Sequence, residues 1–277
     1  MRKRWVLMLC APGIVFLILC CVWPVLRIVL QTLYDDTGAV SFAGYVTLFG
    51  KSFFKNTLTR TLRLAAITTL VCAGVGLPVS FYISRMAEKR KSLAISLATF
   101  PLLTSAIVRS ICWIVLLGKK GVINNLLIGI GLIDKPLSIL YTETSMLIGY
   151  IQLFMPLMLL SLVGVMESID DELLQAAQTL GCPRVLAFVK VVVPLSVSGL
   201  ITGGMLVFTG TMTAYATPSL LGGTKTKVLS TLLDQYANIN SDWLSASMVA
   251  TVMIMFTVLV NVVFTQVAGR MNRRQNA

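Results

Sequence analysis

Six apolar runs organise this chain, at about 5–31, 62–84, 93–117, 144–166, 195–221 and 243–267, and none is shorter than 23 residues. The hydrocarbon core of a bilayer is about 30 Å thick, and a helix needs roughly 20 apolar residues to cross it. Of the 277 residues, 56% are hydrophobic and only 12% are charged, with mean hydropathy +0.86. A soluble domain carries about 25% charged residues, and no soluble core of this size covers so much apolar surface. The runs read as six spanning helices, and the chain as an all-α membrane protein with a single transmembrane domain over 1–277. The first run follows Arg2-Lys3-Arg4, as a signal peptide would, but it is too long for a signal h-region and no A-x-A cleavage site follows. It reads as a retained first span.

The net charge is +12, yet the basic residues sit mainly at the ends of apolar runs, where they act as topology signals and headgroup contacts rather than as a nucleic-acid patch. With both termini in the cytoplasm, the inner segments hold Arg2, Lys3, Arg4, Arg85, Lys89, Arg90, Lys91, Arg184, Lys190, Arg270, Arg273 and Arg274. The outer loops hold Lys51, Lys55, Arg60, Lys119, Lys120, Lys135, Lys225 and Lys227. The inner segments are shorter, so their basic density is roughly twice that of the outer ones, which favours an inner-membrane chain with both ends inside. Arg27 and Arg63 lie near span ends and can snorkel. Arg109 lies deeper, where an ionised group pairs with backbone carbonyls or a helix end, or faces a wet cavity.

Several chemistries are excluded by residue type. The chain has no histidine, which removes H-E-x-x-H zinc sites and Ser–His dyads. The eleven acidic residues lie outside the span centres, with Glu143 at an edge, so a membrane aspartyl protease lacks its carboxylate pair. The cysteines Cys10, Cys20, Cys21, Cys72, Cys112 and Cys182 include no C-x-x-C and read as small apolar residues. No G-x-x-x-x-G-K-[ST] is present, and Gly222-Gly223-Thr224-Lys225 lacks that spacing. Gly199 and Gly203 form a G-x-x-x-G, and with Gly74 and Gly76 they suit close helix packing.

The segment 167–194 carries the most information. Ser168 and Asp171 have capping-box spacing, and Asp170, Asp171 and Glu172 put negative charge at a helix N-terminus. Ile169, Leu173, Ala176, Ala177 and Leu180 follow at helical spacing, and Gly181 supplies a stop that favours positive φ. Pro183 fits the first turn of a second helix through Leu186, Phe188 and Val189 to Pro194. The expectation is helix, sharp turn, helix on the cytoplasmic face. Its apolar stripe suits either a docking partner or a helix lying on the membrane.

The spacing of this segment resembles that of permease subunits of binding-protein-dependent ABC importers. Those proteins carry E-A-A, three residues, G, nine residues, then I-x-L-P. Here Gln175-Ala176-Ala177, Gly181, Val191, Val193 and Pro194 stand at those positions, with Gln175 in place of Glu and two valines in place of Ile and Leu. The run Val108-Arg109-Ser110-Ile111-Cys112-Trp113, Pro218 before Leu220-Leu221-Gly222-Gly223, and Asp242-Trp243 look like the spermidine/putrescine branch.

The resemblance implies a type I (MetI-like) permease fold and a polyamine-like solute. Another small amine-bearing or anionic organic solute is the alternative, and a stand-alone secondary carrier a more distant one. The segment would be the coupling helix that seats in an ATPase groove, through Asp170, Gln175, Ala176, Ala177, Gly181, Phe188 and Pro194. Implied partners are two copies of a cytoplasmic ATP-binding subunit that binds ATP and Mg, a second permease subunit, a periplasmic solute-binding protein and the lipid bilayer. The chain itself would hold no cofactor. The path would run near the third to fifth spans, with Arg109, Trp113, Tyr150, Gln152, Thr209, Thr213 and Tyr215 as candidates. Each of these can equally be a satisfied side chain at a helix contact.

Overall fold

The architecture comes from a computed structural model that describes residues 11–34 and 41–275. Arg2, Lys3, Arg4, Cys10 and the side chains of Arg270, Arg273 and Arg274 lie outside the described residues, as does part of the expected outer loop at 35–40. Among the described residues the regular structure is helical: α1 (Ala11–Gln31), α2 (Ala43–Gly50), α3 (Ser52–Ser84), α4 (Glu88–Leu103), α5 (Ala106–Leu117), α6 (Val122–Gly129), α7 (Glu143–Met166), α8 (Asp171–Thr179), α9 (Arg184–Leu195), α10 (Val197–Thr213), α11 (Ala216–Leu221), α12 (Leu229–Asp234) and α13 (Trp243–Gln275). The helices α1, α3, α7 and α13 are each long and apolar enough to cross a membrane. The bent pairs α4 with α5, and α9 with α10, bring the number to six if each pair is one span.

Both bends correct the expectation of continuous helices. The run 93–117 breaks at Thr104 and Ser105, whose ψ angles of 149° and 131° are extended, and the two halves differ in direction by 95°. Pro101 sits in the last turn before the break, where its missing N–H already weakens the ladder. The run 195–221 begins with a 69° bend at Ser196 and leaves helical geometry at Ala214, before α11. Upstream of that bend, a π-turn at Phe188–Val192 and the missing N–H of Pro194 loosen the same stretch of backbone. α3 also begins at Ser52, ten residues before the expected run at 62.

Two compact units divide the chain: Met1–Asn56 with Leu232–Met255, and Thr57–Thr231 with Phe256–Ala277. In the first, α1 is exposed on every face, as suits a helix surrounded by hydrocarbon. The Thr32 and Tyr45 hydroxyls share a 2.6 Å hydrogen bond, and Phe49 meets Phe54 edge-on at 5.1 Å. The second unit is organised by α7. Thr142 and Ser145 close a capping box at its start, and Met146, Tyr150, Phe154, Met158, Leu162 and Met166 recur every fourth residue as a buried stripe.

Helix α10 packs on that stripe through Gly199 and Gly203. A Cβ at Gly199 would stand 2.8 Å from the Ser161 carbonyl oxygen, and one at Gly203 would stand 2.7 Å from Met158 Sδ. These glycines permit backbone approach, as the G-x-x-x-G spacing implied. Gly74 does not: a Cβ there meets nothing within 4 Å.

Both ends of α7 are tied to neighbours. At one end Glu143 Oε1 accepts from Arg60 Nε at 2.8 Å, and Glu143 also pairs with Arg63, while Arg60 donates to the Lys227 carbonyl at 3.0 Å. At the other, Glu167 stands 3.2 Å from Lys91 of α4. Hydrogen bonds to Glu88 and then Glu167 hold the Lys91 ammonium above its ordinary pKa.

Candidate functional site

The segment after α7 folds as helix, turn, helix. The N-cap of α8 is Asp170, whose Oδ1 accepts from the Glu172 N–H at 3.1 Å. This corrects the Ser168/Asp171 capping box: the Ser168 hydroxyl instead donates back to the Val165 carbonyl at 2.7 Å, because α7 continues through one further turn. Asp171 and Glu172 occupy the first turn, where they favour the positive end of the dipole.

Gly181 ends α8 with φ +84°, the left-handed geometry the sequence called for. Its N–H donates to Gln178 at 2.9 Å, and the Cys182 N–H donates to Ala177 at 3.1 Å. That pair of bonds is a Schellman motif, which satisfies the last carbonyls and fixes the exit direction. Pro183 lies one place earlier than expected, at the N-cap of α9 with ψ 151°. Its carbonyl accepts from the Ala187 N–H at 2.9 Å.

The apolar stripe divides between two faces. Leu174, not Leu173, packs inward on the core together with Phe188. Leu173, Ala176 and Leu180 share the opposite, exposed face, with Leu180 89% exposed, while Ile169 is buried beside the end of α7. Val185, Leu186 and Val189 of α9 add further exposed apolar groups. Gln175 and Phe188 line a cavity of about 1000 Å³ between α3, α8 and α9. Pro194 is exposed near the bend into α10.

Arg85 fastens this segment to α3. Its guanidinium lies 2.9 Å from Asp171 Oδ1, donates to the Ile169 carbonyl at 2.8 Å, and rests over the Phe81 ring at 5.5 Å. Phe81 in turn meets Phe188 edge-on at 5.1 Å. Sequence reasoning read Arg85 only as a topology charge. Its partner lies 86 positions away, beyond the reach of any local pattern.

Among the path candidates, Trp113 and Gln152 come together: the indole N–H donates to Gln152 Oε1 at 3.2 Å, on the wall of a cavity of about 480 Å³ between α4, α5 and α7. Pro101 lines the same cavity, and its carbonyl accepts from both Thr104 and Arg109. Arg109 thus caps the broken end of α4. Tyr150 is 1% exposed and belongs to the core stripe, since two positions along a helix turn a side chain by about 200° away from Gln152. The Thr209 hydroxyl donates to Asn261 Oδ1 at 3.3 Å, and Thr213 is exposed and bonds back to the Thr209 carbonyl at 2.9 Å. Tyr215 is exposed just before α11.

The family of binding-protein-dependent transport system inner membrane components matches residues 6–276. The chain belongs to this family. It is therefore a multi-pass inner-membrane permease component of a transport system that depends on a binding protein, rather than an enzyme. The spermidine/putrescine transport system permease protein PotB of Haemophilus influenzae is 29% identical over 235 residues, covering 85% of the permease and 82% of the relative. PotB of Escherichia coli K12 is 29% identical over 214 residues, covering 76% and 77%. The ferric transport system permease protein FbpB of Actinobacillus pleuropneumoniae is 24% identical over 87% of the permease and 35% of its own length.

Two solved structures share the fold. A bacterial ABC transporter involved in the import of the acidic polysaccharide alginate aligns over 97% of the permease and 96% of its own chain, with TM-score 0.80 and 17% identity. The alginate transporter in complex with its alginate pentasaccharide-bound periplasmic protein aligns over 98% and 96%, with TM-score 0.81 and 17% identity. The permease thus has the all-helical fold of ABC importer permeases.

Proposed function

We propose that the permease imports a polyamine of the spermidine/putrescine class, driven by ATP hydrolysed on separate subunits. The observation that carries the coupling reading is the exposed Leu173, Ala176 and Leu180 face of α8, held on a Schellman-capped elbow. That face matches the groove-seating role of a coupling helix, and Asp170, Gln175, Ala176, Ala177, Gly181, Phe188 and Pro194 form or support it. Two copies of a cytoplasmic ATPase, holding ATP and Mg, would receive this face and that of a second permease. Both termini then lie in the cytoplasm, and a periplasmic binding protein delivers solute to the opposite side. The substrate class follows from the names of the PotB relatives.

Mechanistically, closure of the ATPases pushes α8. Arg85 and Phe81 pass that displacement to α3, and α9 passes it through the 69° bend to α10. The cavity beside Trp113 and Gln152 offers an aromatic face and an amide oxygen, both suited to an ammonium group. A second reading rests on Arg109: a guanidinium beside that cavity, with no carboxylate among the lining residues, favours an anionic organic solute instead.

The deciding experiment is purification of the complex followed by uptake into ATP-loaded proteoliposomes, with the periplasmic protein supplied outside. Co-purified ATPase and ATP-dependent spermidine uptake, inhibited by putrescine, support the reading. Co-purified ATPase with uptake only of an organic anion moves the assignment to the second reading, and a permease that transports alone overturns both.

A further inference from the structure

The cavity between α3, α8 and α9 is not needed for the exposed face of α8 or for the Trp113 site. It lies on the opposite side of α8 from Leu173, Ala176 and Leu180, since Asp171, Leu174, Gln175 and Gln178 line it. Its volume is about 1000 Å³. Its walls change character along their length. At one end they are Leu77, Phe81, Val189 and Val193; at the other they are Arg85, Gln175, Gln178 and Arg184.

The dimensions suit one ligand class. Along α3 the lining runs from Gly74 to Arg85, which at 1.5 Å per residue is about 16 Å. Half of a hydrocarbon core about 30 Å thick is nearly the same length. A chain lying against Leu77 and Phe81 with its head beside Arg85 therefore spans one leaflet. The charge is asymmetric as well. Arg85 is offset by Asp171 at 2.9 Å, whereas Arg184 is in no ion pair among the described residues. The mouth thus keeps one uncompensated positive charge next to two amides that can donate hydrogen bonds.

We infer that this cavity is a binding site for one anionic phospholipid, its acyl chains against Leu77, Phe81, Val189 and Val193 and its phosphate at Arg184, with Gln175 and Gln178 as donors. Basic pockets between helices at a membrane face hold acidic headgroups through this combination of charge and apolar depth. Bound there, the lipid wedges α8 and α9 against α3 from the side away from the exposed face. The inference does not depend on which solute the permease carries.

The test uses the full chain, purified with its co-purifying proteins and placed in phosphatidylcholine nanodiscs doped with phosphatidylglycerol. Native mass spectrometry after detergent release should find phosphatidylglycerol retained in preference to phosphatidylcholine. Retention should fall about fivefold in Arg184→Gln, the scale of one basic residue at an anionic surface, and persist in Arg184→Lys. Gly74→Phe, at a position where an added side chain meets open space, should block retention by filling the deep end. A photo-crosslinker at Val189 should label lipid. Equal retention of the two lipids, unchanged retention in Arg184→Gln, displacement by soluble glycerol phosphate, or a crosslink from Val189 to a protein chain would each overturn the assignment.

Discussion

The α7–α10 contact and the α8–α9 elbow both turn on glycine, used for two different properties. At Gly199 the missing Cβ lets one backbone settle against another, since a Cβ there would stand only 2.8 Å from the Ser161 carbonyl oxygen. At Gly181 there is open space around the Cα, and what matters is a backbone angle of +84°. The first glycine serves packing inside a buried layer. The second sets the direction of an exposed arm. On the proposed function, stability rests on the first and transmission on the second, so substitutions should separate the two properties.

Gly199→Val should give the largest effect. A backbone oxygen cannot rotate away as a side chain can, so overpacking should cost about 3 kcal/mol and sharply lower the yield of folded permease. Equilibrium unfolding in mixed micelles measures it, and wild-type stability would remove the distinction between the two glycines. Leu180→Asp should leave that stability unchanged and reduce co-purified ATPase at least about tenfold, equivalent to about 1.4 kcal/mol of association. If both quantities fall together, the exposed face belongs to the core after all.

Gly181→Val comes next, with a local cost of about 1–2 kcal/mol for a side chain in left-handed geometry. The ATPase should still bind, but more ATP should be hydrolysed per solute carried, because the arm points elsewhere. An unchanged ratio of ATP to solute would show that the elbow's direction is unimportant.

Glu143→Gln extends the comparison to the far end of α7. It should cost under about 1 kcal/mol, since Arg60 and Arg63 are partly exposed, and leave ATPase binding untouched. The smallest effect concerns Asp242. Hydrogen bonds from the Ser245 side chain and backbone N–H, which lies 3.0 Å away, hold its carboxyl below the usual range. A depressed pKa contributes stability above about pH 4, lost as pH falls further through the folded value. Melting temperatures of wild type and Asp242→Asn should therefore converge at acidic pH and separate towards neutrality.

Local chemistry made part of this fold readable from sequence. Apolar run length pointed to the long apolar helices α1, α3, α7 and α13, and Gly181 followed by Pro183 marked the elbow, because caps act within a few residues. The two bends were hidden for the opposite reason. Apolar composition continues straight across Thr104 and Ser196, and a lipid-exposed run looks the same whether the helix inside it is whole or broken. The choice of face on α8 was also hidden. Leu173 and Leu174 are adjacent, and only the position of α3 and α9 decides which one turns inward. Among the path candidates, Trp113 and Gln152 both qualify as polar or aromatic groups in spans, but nothing local distinguishes Gln152 on the cavity wall from Tyr150 in the core. The ion pairs of Arg60, Arg63 and Arg85 link residues 80 or more positions apart and become visible only once α3 stands beside α7 and α8.

The uninterrupted course of α7 has a mechanical meaning. Its 24 residues span about 36 Å, with a carboxylate near each tip gripping cations on neighbouring helices. The one missing rung is at Pro156, whose absent N–H gives this strut a single point of give, so a push on one tip reaches the other as a swing about that point.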